Sequence, residues 1–100
     1  MHEIFVTVMG NVASRPKSAL TKSGHSVASF RLASTPRRYD RSRGSWVDGT
    51  TTWFTITCWR GLADHVSSSV AVGDPLIVHG RLQTNDFTRE DGSKGSSLDI

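Results

Sequence analysis

A single all-β domain, with five strands and one short helix between the third and fourth, is the architecture this sequence predicts, and three observations carry it. The first is composition: nine Gly, many Ser and Thr, 36% hydrophobic and 21% charged residues suit short strands and turns better than a helix bundle. The second is apolar alternation with a period of two, in segments bounded by Gly, Pro, Asn or Asp. The third is that helical spacing occurs in one place, directly after the third strand. At 100 residues the chain is long enough for one core and too short for two, so residues 1–100 form one domain.

The first strand is Ile4-Phe5-Val6-Thr7-Val8-Met9, rich in β-branched residues and closed by Gly10-Asn11. Because it is almost wholly apolar, it is expected to be covered on both sides, by the core and by another subunit. Ser14-Arg15-Pro16-Lys17 reads as a bend and Lys22-Ser23-Gly24-His25 as a turn. Residues 26–34 then alternate cleanly, with Ala28, Phe30 and Leu32 on one face and Ser29, Arg31 and Ala33 on the other. Residues 36–50, PRRYDRSRGSWVDGT, have no apolar period, and a segment of that length is expected to be a long, mobile hairpin loop with a function of its own.

The third strand lies within TTWFTITCWRG, residues 51–61. There Phe54, Ile56 and Cys58 share one side, while Trp53, Thr55, Thr57 and Trp59 share the other. Leu62, Ala63, Val66 and Val70 follow at helical spacing. Val72-Gly73-Asp74-Pro75 turns into a fourth strand, in which Val78, Gly80 and Leu82 face one way and His79, Arg81, Gln83 and Phe87 the other. Residues 89–95 read as a polar hairpin turn, and residues 97–100 as the start of a fifth strand. Strand, strand, strand, helix, strand, strand is the element order of a five-stranded OB-fold barrel.

A formal charge of +3 and a pI near 9.6 permit a polyanionic partner without demanding one. The single cysteine, Cys58, has no internal disulfide partner and falls on the apolar side of its strand, which fits a small buried side chain in a reducing cytoplasm. The early apolar run Ile4-Phe5-Val6 is too short for a signal-peptide core, and no stretch approaches a membrane span, so a cytoplasmic protein with no membrane partner is expected. His2, His25, His65 and His79 are scattered, without Cys or carboxylate partners at ligand spacing, and neither GxxxxGK nor GxSxG occurs. No catalytic residue, metal site or cofactor is expected.

What remains is a surface. The outward sides of the second, third and fourth strands offer Ser29 and Arg31, then Trp53, Thr55, Thr57 and Trp59, then His79, Arg81, Gln83 and Phe87. Laid side by side, these make aromatic plates separated by cations and hydroxyls, which is the combination that single-stranded nucleic acid needs: each base stacks on a ring and each phosphate meets a charge. At a rise of about 3.3 Å per residue, Trp53 and Trp59 stand roughly 20 Å apart, enough for two separate stacking points. The loop adds Arg37, Arg38, Arg41 and Arg43 against Asp40 and Asp48, with Tyr39 and Trp46 as further rings. Taken singly, each feature has a plainer reading: a tryptophan in a core or subunit interface, a charge run on a solvated face, Phe87 covering a barrel mouth.

Gly10-Asn11, SVASFRLAST at residues 26–35, TTWFTITCWRGLADHV at residues 51–66 and VGDPLIVHGRLQT at residues 72–84 resemble, in order and spacing, the bacterial single-stranded DNA-binding protein family. The resemblance implies an OB-fold and a homotetramer, a dimer of dimers, built through the first strands and sheet faces. It also implies wrapping of single-stranded DNA in replication, recombination and repair, at the nucleoid. By matching position it makes Trp53, Trp59 and Phe87 the base-stacking aromatics, and it places a further loop aromatic near Arg38 and Tyr39, where Tyr39 is the ring available. Arg31, Arg37, Arg38, Arg41, Arg43 and Arg81 complete the expected DNA-binding set. Family members usually continue into a flexible linker and an acidic tip that recruits other DNA-metabolism proteins. This chain stops at Leu98-Asp99-Ile100, so such partners are expected only where a tail exists beyond it. The alternatives are a paralogue acting mainly through proteins of a primosome or recombination complex, and an RNA-binding OB protein.

Overall fold

A computed structural model describes residues 2–100 and arranges them as β1 (Ile4–Val12), β2 (Lys17–Leu20), β3 (Ser26–Ser34), β4 (Arg37–Asp40), β5 (Ser45–Asp48), β6 (Thr52–Trp59), α1 (Gly61–Ser69), β7 (Pro75–Thr88) and β8 (Lys94–Asp99). Five of these strands close into a ring. β1 runs antiparallel along β7 from Ile4↔Leu82 to Asn11↔Pro75, and its last residues cross to β3 at Asn11↔Ala33 and Val12↔Leu32. β3 pairs along its length with β6, from Val27↔Trp59 to Ser34↔Thr52. β6 pairs parallel with β8 at Phe54↔Leu98 and Thr55↔Asp99, and β8 returns antiparallel to β7 from Gln83↔Asp99 to Thr88↔Lys94.

The crossing of β1 from β7 to β3 depends on Gly10. A Cβ at that position would stand 2.5 Å from the carbonyl oxygen of Ala33, closer than any side chain tolerates. Closure of this kind leaves the ring without a long open edge.

The core is what the alternation predicts. Ala28, Phe30 and Leu32 of β3 and Phe54, Ile56 and Cys58 of β6 are buried together with Val12, Ala63 and Val66, and Val8, Leu76, Val78, Leu82, Leu98 and Ile100 pack against them half-buried. Burial of Cys58 pushes its thiol up from the ordinary value, since desolvation disfavours the thiolate. α1 sits against β3 and β6, as its place in the order requires, and turns Ala63 and Val66 inward. Leu62, which shares the helical period, instead lies on the exposed side at 61% accessibility.

Two elements differ from the sequence-based expectation. Residues 17–20, expected to belong to a bend and the chain after it, form β2, which pairs with β3 from Lys17↔Ser29 to Leu20↔Ser26 and has all four residues exposed. Residues 36–50, expected as a hairpin loop without strands of its own, are a hairpin whose arms pair as a two-stranded ribbon with register Arg37↔Asp48, Arg38↔Val47, Tyr39↔Trp46 and Asp40↔Ser45. Both sides of the ribbon face water, so it has no reason to alternate. Within the single chain β1 is covered on its core side, where Val6 and Val8 are half-buried, while on the side expected to meet another subunit Phe5 and Met9 are 61% and 68% exposed.

Candidate nucleic-acid interface

The outer side of the β3–β6 pair carries the first two rings. In the β3–β6 register Trp53 lies opposite Ala33 and Trp59 opposite Val27, small neighbours that leave both indoles open, at 50% and 57% exposure. Arg31 lies opposite Thr55 and reaches diagonally, placing its guanidinium carbon 5.7 Å from the centroid of the Trp53 ring. A planar cation already occupies the neighbourhood of one face of this ring.

The fourth predicted strand is not beside the third. β8 lies between β6 and β7, because β8 can pair with both only as the middle strand of the three. It brings Asp99 into the row Thr55–Asp99–Gln83, and Asp99 accepts a hydrogen bond from the Ser97 hydroxyl at 3.0 Å. Since β7 runs antiparallel to β6 across β8, residues beyond Gln83 on β7 advance toward the Trp53 end of β6. Phe87 therefore belongs to the same end as Trp53. At the opposite end, Trp59 and Arg81 line one open depression of about 540 Å³ together with Thr57, Gln83 and Asp99.

Phe87, 41% exposed, has a cationic cover of its own that sequence reading missed. The Arg89 guanidinium carbon stands 5.1 Å from the Phe87 ring centroid, and Arg89 also donates to the carbonyl of Lys94 at 3.1 Å. Gly95, opposite Phe87 in the register, makes room: a Cβ there would lie 2.6 Å from an Arg89 nitrogen. The signal available in the sequence was the spacing Phe87-Thr88-Arg89 on one side of a strand end. It needed the cross-strand glycine to be interpreted.

The ribbon rises from the ends of β3 and β6 nearest Trp53, tied at its base by the Gly49 amide donating to the Pro36 carbonyl at 2.7 Å. Tyr39 and Trp46 meet edge to face across it with centroids 5.6 Å apart, both more than half exposed. The arginines of the expected set are not equivalent. Arg37 pairs with Asp48 at 3.3 Å, Arg43 with Asp40 at 3.7 Å and Arg81 with Glu3 at 3.0 Å, whereas Arg38 and Arg41 are in none of the ion pairs among the described residues. Asp40 is held below its ordinary pKa chiefly by the Ser42 hydroxyl, which donates to it at 2.6 Å, with the Ser42 and Arg43 amides adding to the effect.

Among the described residues no group of three or more His, Cys, Asp or Glu side chains is arranged to hold a metal, and no helix is long and apolar enough to cross a membrane.

A five-stranded ring with its helix between the third and fourth ring strands, bearing open rings and cations on one sheet face, defines the class: an OB-fold barrel. Comparison narrows the class to a family. The model of the Single-strand binding protein family matches residues 4–100, and the chain belongs to that family. It is 47% identical over 100 residues to Single-stranded DNA-binding protein 2 of Streptomyces avermitilis, covering all of this chain and 62% of that protein. It is 38% identical over 98 residues to the Single-stranded DNA-binding protein of Paenarthrobacter aurescens, covering 98% of this chain and 57% of that one. The chain thus spans less than two thirds of the length of these curated relatives. Among solved structures, the small single-stranded DNA-binding protein from Streptomyces coelicolor superposes with a TM-score of 0.90 at 43% identity, covering 100% of this chain and 89% of that one.

Proposed function

We propose that this domain binds single-stranded DNA without sequence preference, by stacking bases on Trp53, Trp59, Phe87 and Tyr39 and by drawing phosphates to Arg31, Arg37, Arg38, Arg41, Arg43 and Arg81. The observation that carries the reading is the pair of open indoles on one sheet face, with a guanidinium lying over the first. Stacking of this kind contributes about 1–3 kcal/mol per base and does not read hydrogen-bonding edges, so it tolerates any sequence. Arg31 and Arg89 each lie over one face of their ring in the free protein. An incoming base takes the opposite ring face, or takes the arginine's place while the released guanidinium turns to the phosphate. Arg38 and Arg41, free of carboxylate partners among the described residues, are the ribbon cations with least to give up on meeting a phosphate.

The names of the relatives support this reading, as do the family and the fold. In the same reading the protein works as a homotetramer, a dimer of dimers, coating strands exposed in replication, recombination and repair at the cytoplasmic nucleoid. Recruitment of DNA-metabolism proteins belongs to it only where a tail follows the barrel.

Titration with oligo-dT at two salt concentrations tests the proposal. Tryptophan emission is expected to quench on binding, and affinity to fall with salt by about 0.7 decades per decade of salt for each phosphate contact. Unchanged fluorescence and mobility in low salt would refute it, and a matched RNA oligomer that outcompetes DNA would redirect it to an RNA partner.

A further inference from the structure

We infer that Arg60 is a phosphate-binding residue of the single-strand site, kept as arginine at a position where folding favours glycine; this rests on the single-strand reading above. Among the described residues five have positive φ, and four of them are glycines: Gly24, Gly44, Gly73 and Gly92. The fifth is Arg60, at φ 59° and ψ −128°. For a residue with a Cβ this is strained backbone, and such outliers persist where the side chain serves some other end.

Two further penalties fall on the same residue. Arg60 is the N-cap of α1 and its side chain makes no capping hydrogen bond, where Ser, Thr, Asp, Asn or Gly would be preferred. Its positive charge also sits at the end of the helix where the backbone dipole disfavours cations. The neighbour sharpens the contrast. Gly61 has no positive φ, and a Cβ built on it would meet nothing within 4 Å. The order Arg60-Gly61 is therefore the reverse of what the backbone asks for.

The strained turn has a geometric consequence. Continued alternation along β6 would send residue 60 to the side of Phe54, Ile56 and Cys58, into the core. The turn breaks the alternation at Arg60, whose amide donates to the Ser26 carbonyl at 2.7 Å, and leaves its side chain exposed directly after Trp59. It is in none of the ion pairs among the described residues. The Arg60 Cα lies one step, about 3.8 Å, from the Cα of Trp59, and the reach of an arginine side chain lets its guanidinium meet a phosphate beside a base stacked on that ring. Among the described residues that line the depression beside this ring, Arg81 is the one Lys or Arg, and it is already committed to Glu3.

The test compares wild type, Arg60→Gly and Arg60→Lys by oligo-dT titration over a salt series, with thermal melting of each. Arg60→Gly is expected to melt higher, to bind roughly fivefold more weakly in low salt and to lower the salt slope by about 0.7, one single-strand phosphate contact. Arg60→Lys is expected to recover most of the slope. If Arg60→Gly binds with the affinity and slope of wild type, the inference is overturned, and a melting point that does not rise removes its premise. Wild type that fails to bind oligo-dT at all defeats the underlying reading instead, so the two failures are distinct.

Discussion

Two outer faces of the same barrel expose large apolar side chains, and they do so differently. On β3–β6 the exposed rings of Trp53 and Trp59 stand among Ser29, Arg31, Thr55 and Thr57, and the one cation there lies over an indole. On β1–β7 the exposed side chains are Phe5, Met9 and Ile77, the last at 69%. Polar groups between them already satisfy each other: Thr7 hydrogen-bonds the His79 ring at 2.7 Å, and His79 stacks on Phe5. Apolar area with its polar groups paired internally suits a protein partner of like surface, because burial leaves nothing unsatisfied. Rings beside cations that can exchange their contacts suit a polyanion of flat bases. The difference lies less in how much apolar surface is shown than in whether the neighbouring polar groups are engaged.

The largest effects should come from breaking one face at a time. Trp53→Ala with Trp59→Ala is expected to cost about 2–6 kcal/mol of oligo-dT affinity, the loss of two stacked bases, with sedimentation unchanged. Ile77→Asp, on β7 outside the lining of the Trp59 depression, should do the reverse: it should dissociate the proposed homotetramer and preserve the affinity of each chain for an oligomer short enough to need one barrel. If the tryptophan variant falls apart, or the Ile77 variant loses short-oligomer binding while remaining assembled, the division between the faces is wrong.

A smaller effect separates cations within the wet face. Removing Arg38 and Arg41 together should reduce the salt slope by about 1.4, two single-strand phosphate contacts. Arg37→Ala with Arg43→Ala should reduce it less, since those guanidiniums divide their time with Asp48 and Asp40. Equal slopes for the two pairs would mean that the ribbon acts as a diffuse charge and not through particular contacts.

The faces themselves were readable in the sequence because burial writes a period of two. Ala28, Phe30 and Leu32, then Phe54, Ile56 and Cys58, alternate because each strand has one dry side, and Trp53 and Trp59 are placed by the same rule. Elements with no dry side left no such trace: β2 has four exposed residues, and the ribbon of residues 37–48 is wet on both sides apart from partial cover at Asp40 and Val47. Nor does periodicity say which strands are neighbours. The insertion of β8 between β6 and β7, with Asp99 brought into the face, follows from ring closure and is invisible to any local pattern. Arg89 over Phe87 depends on Gly95 across the strand pair, and Arg60 on a backbone angle, so both required coordinates.

The smallest expected effect is one of pH, and it also belongs to the tryptophan side. The ribbon turns at Asp40-Arg41-Ser42, where the Asp40 carboxylate accepts from the Ser42 hydroxyl at 2.6 Å and its amide at 3.0 Å; the β7–β8 hairpin repeats the device with Asp91 and Ser93 at 2.6 Å and 2.9 Å. Both carboxyls are held below their ordinary pKa, chiefly by the serine hydroxyl, because those hydrogen bonds favour the ionised form. A folded-state pKa below the unfolded one means that the turn is stabilised at all pH values above the ordinary carboxylate range. That contribution fades as acid carries the pH down through the lowered value. Asp40 is only partly covered and lies in the ribbon, outside the core, so the ribbon should loosen locally without unfolding the barrel. In a Trp53→Phe, Trp59→Phe background the remaining indole is Trp46, packed edge to face on Tyr39, and its emission should shift in that acid range. Asp40→Asn should flatten the shift, and Asp91→Asn, acting on the distant hairpin, should leave it in place. A shift that follows Asp91 instead would place the acid-sensitive turn in the β7–β8 hairpin and not in the ribbon.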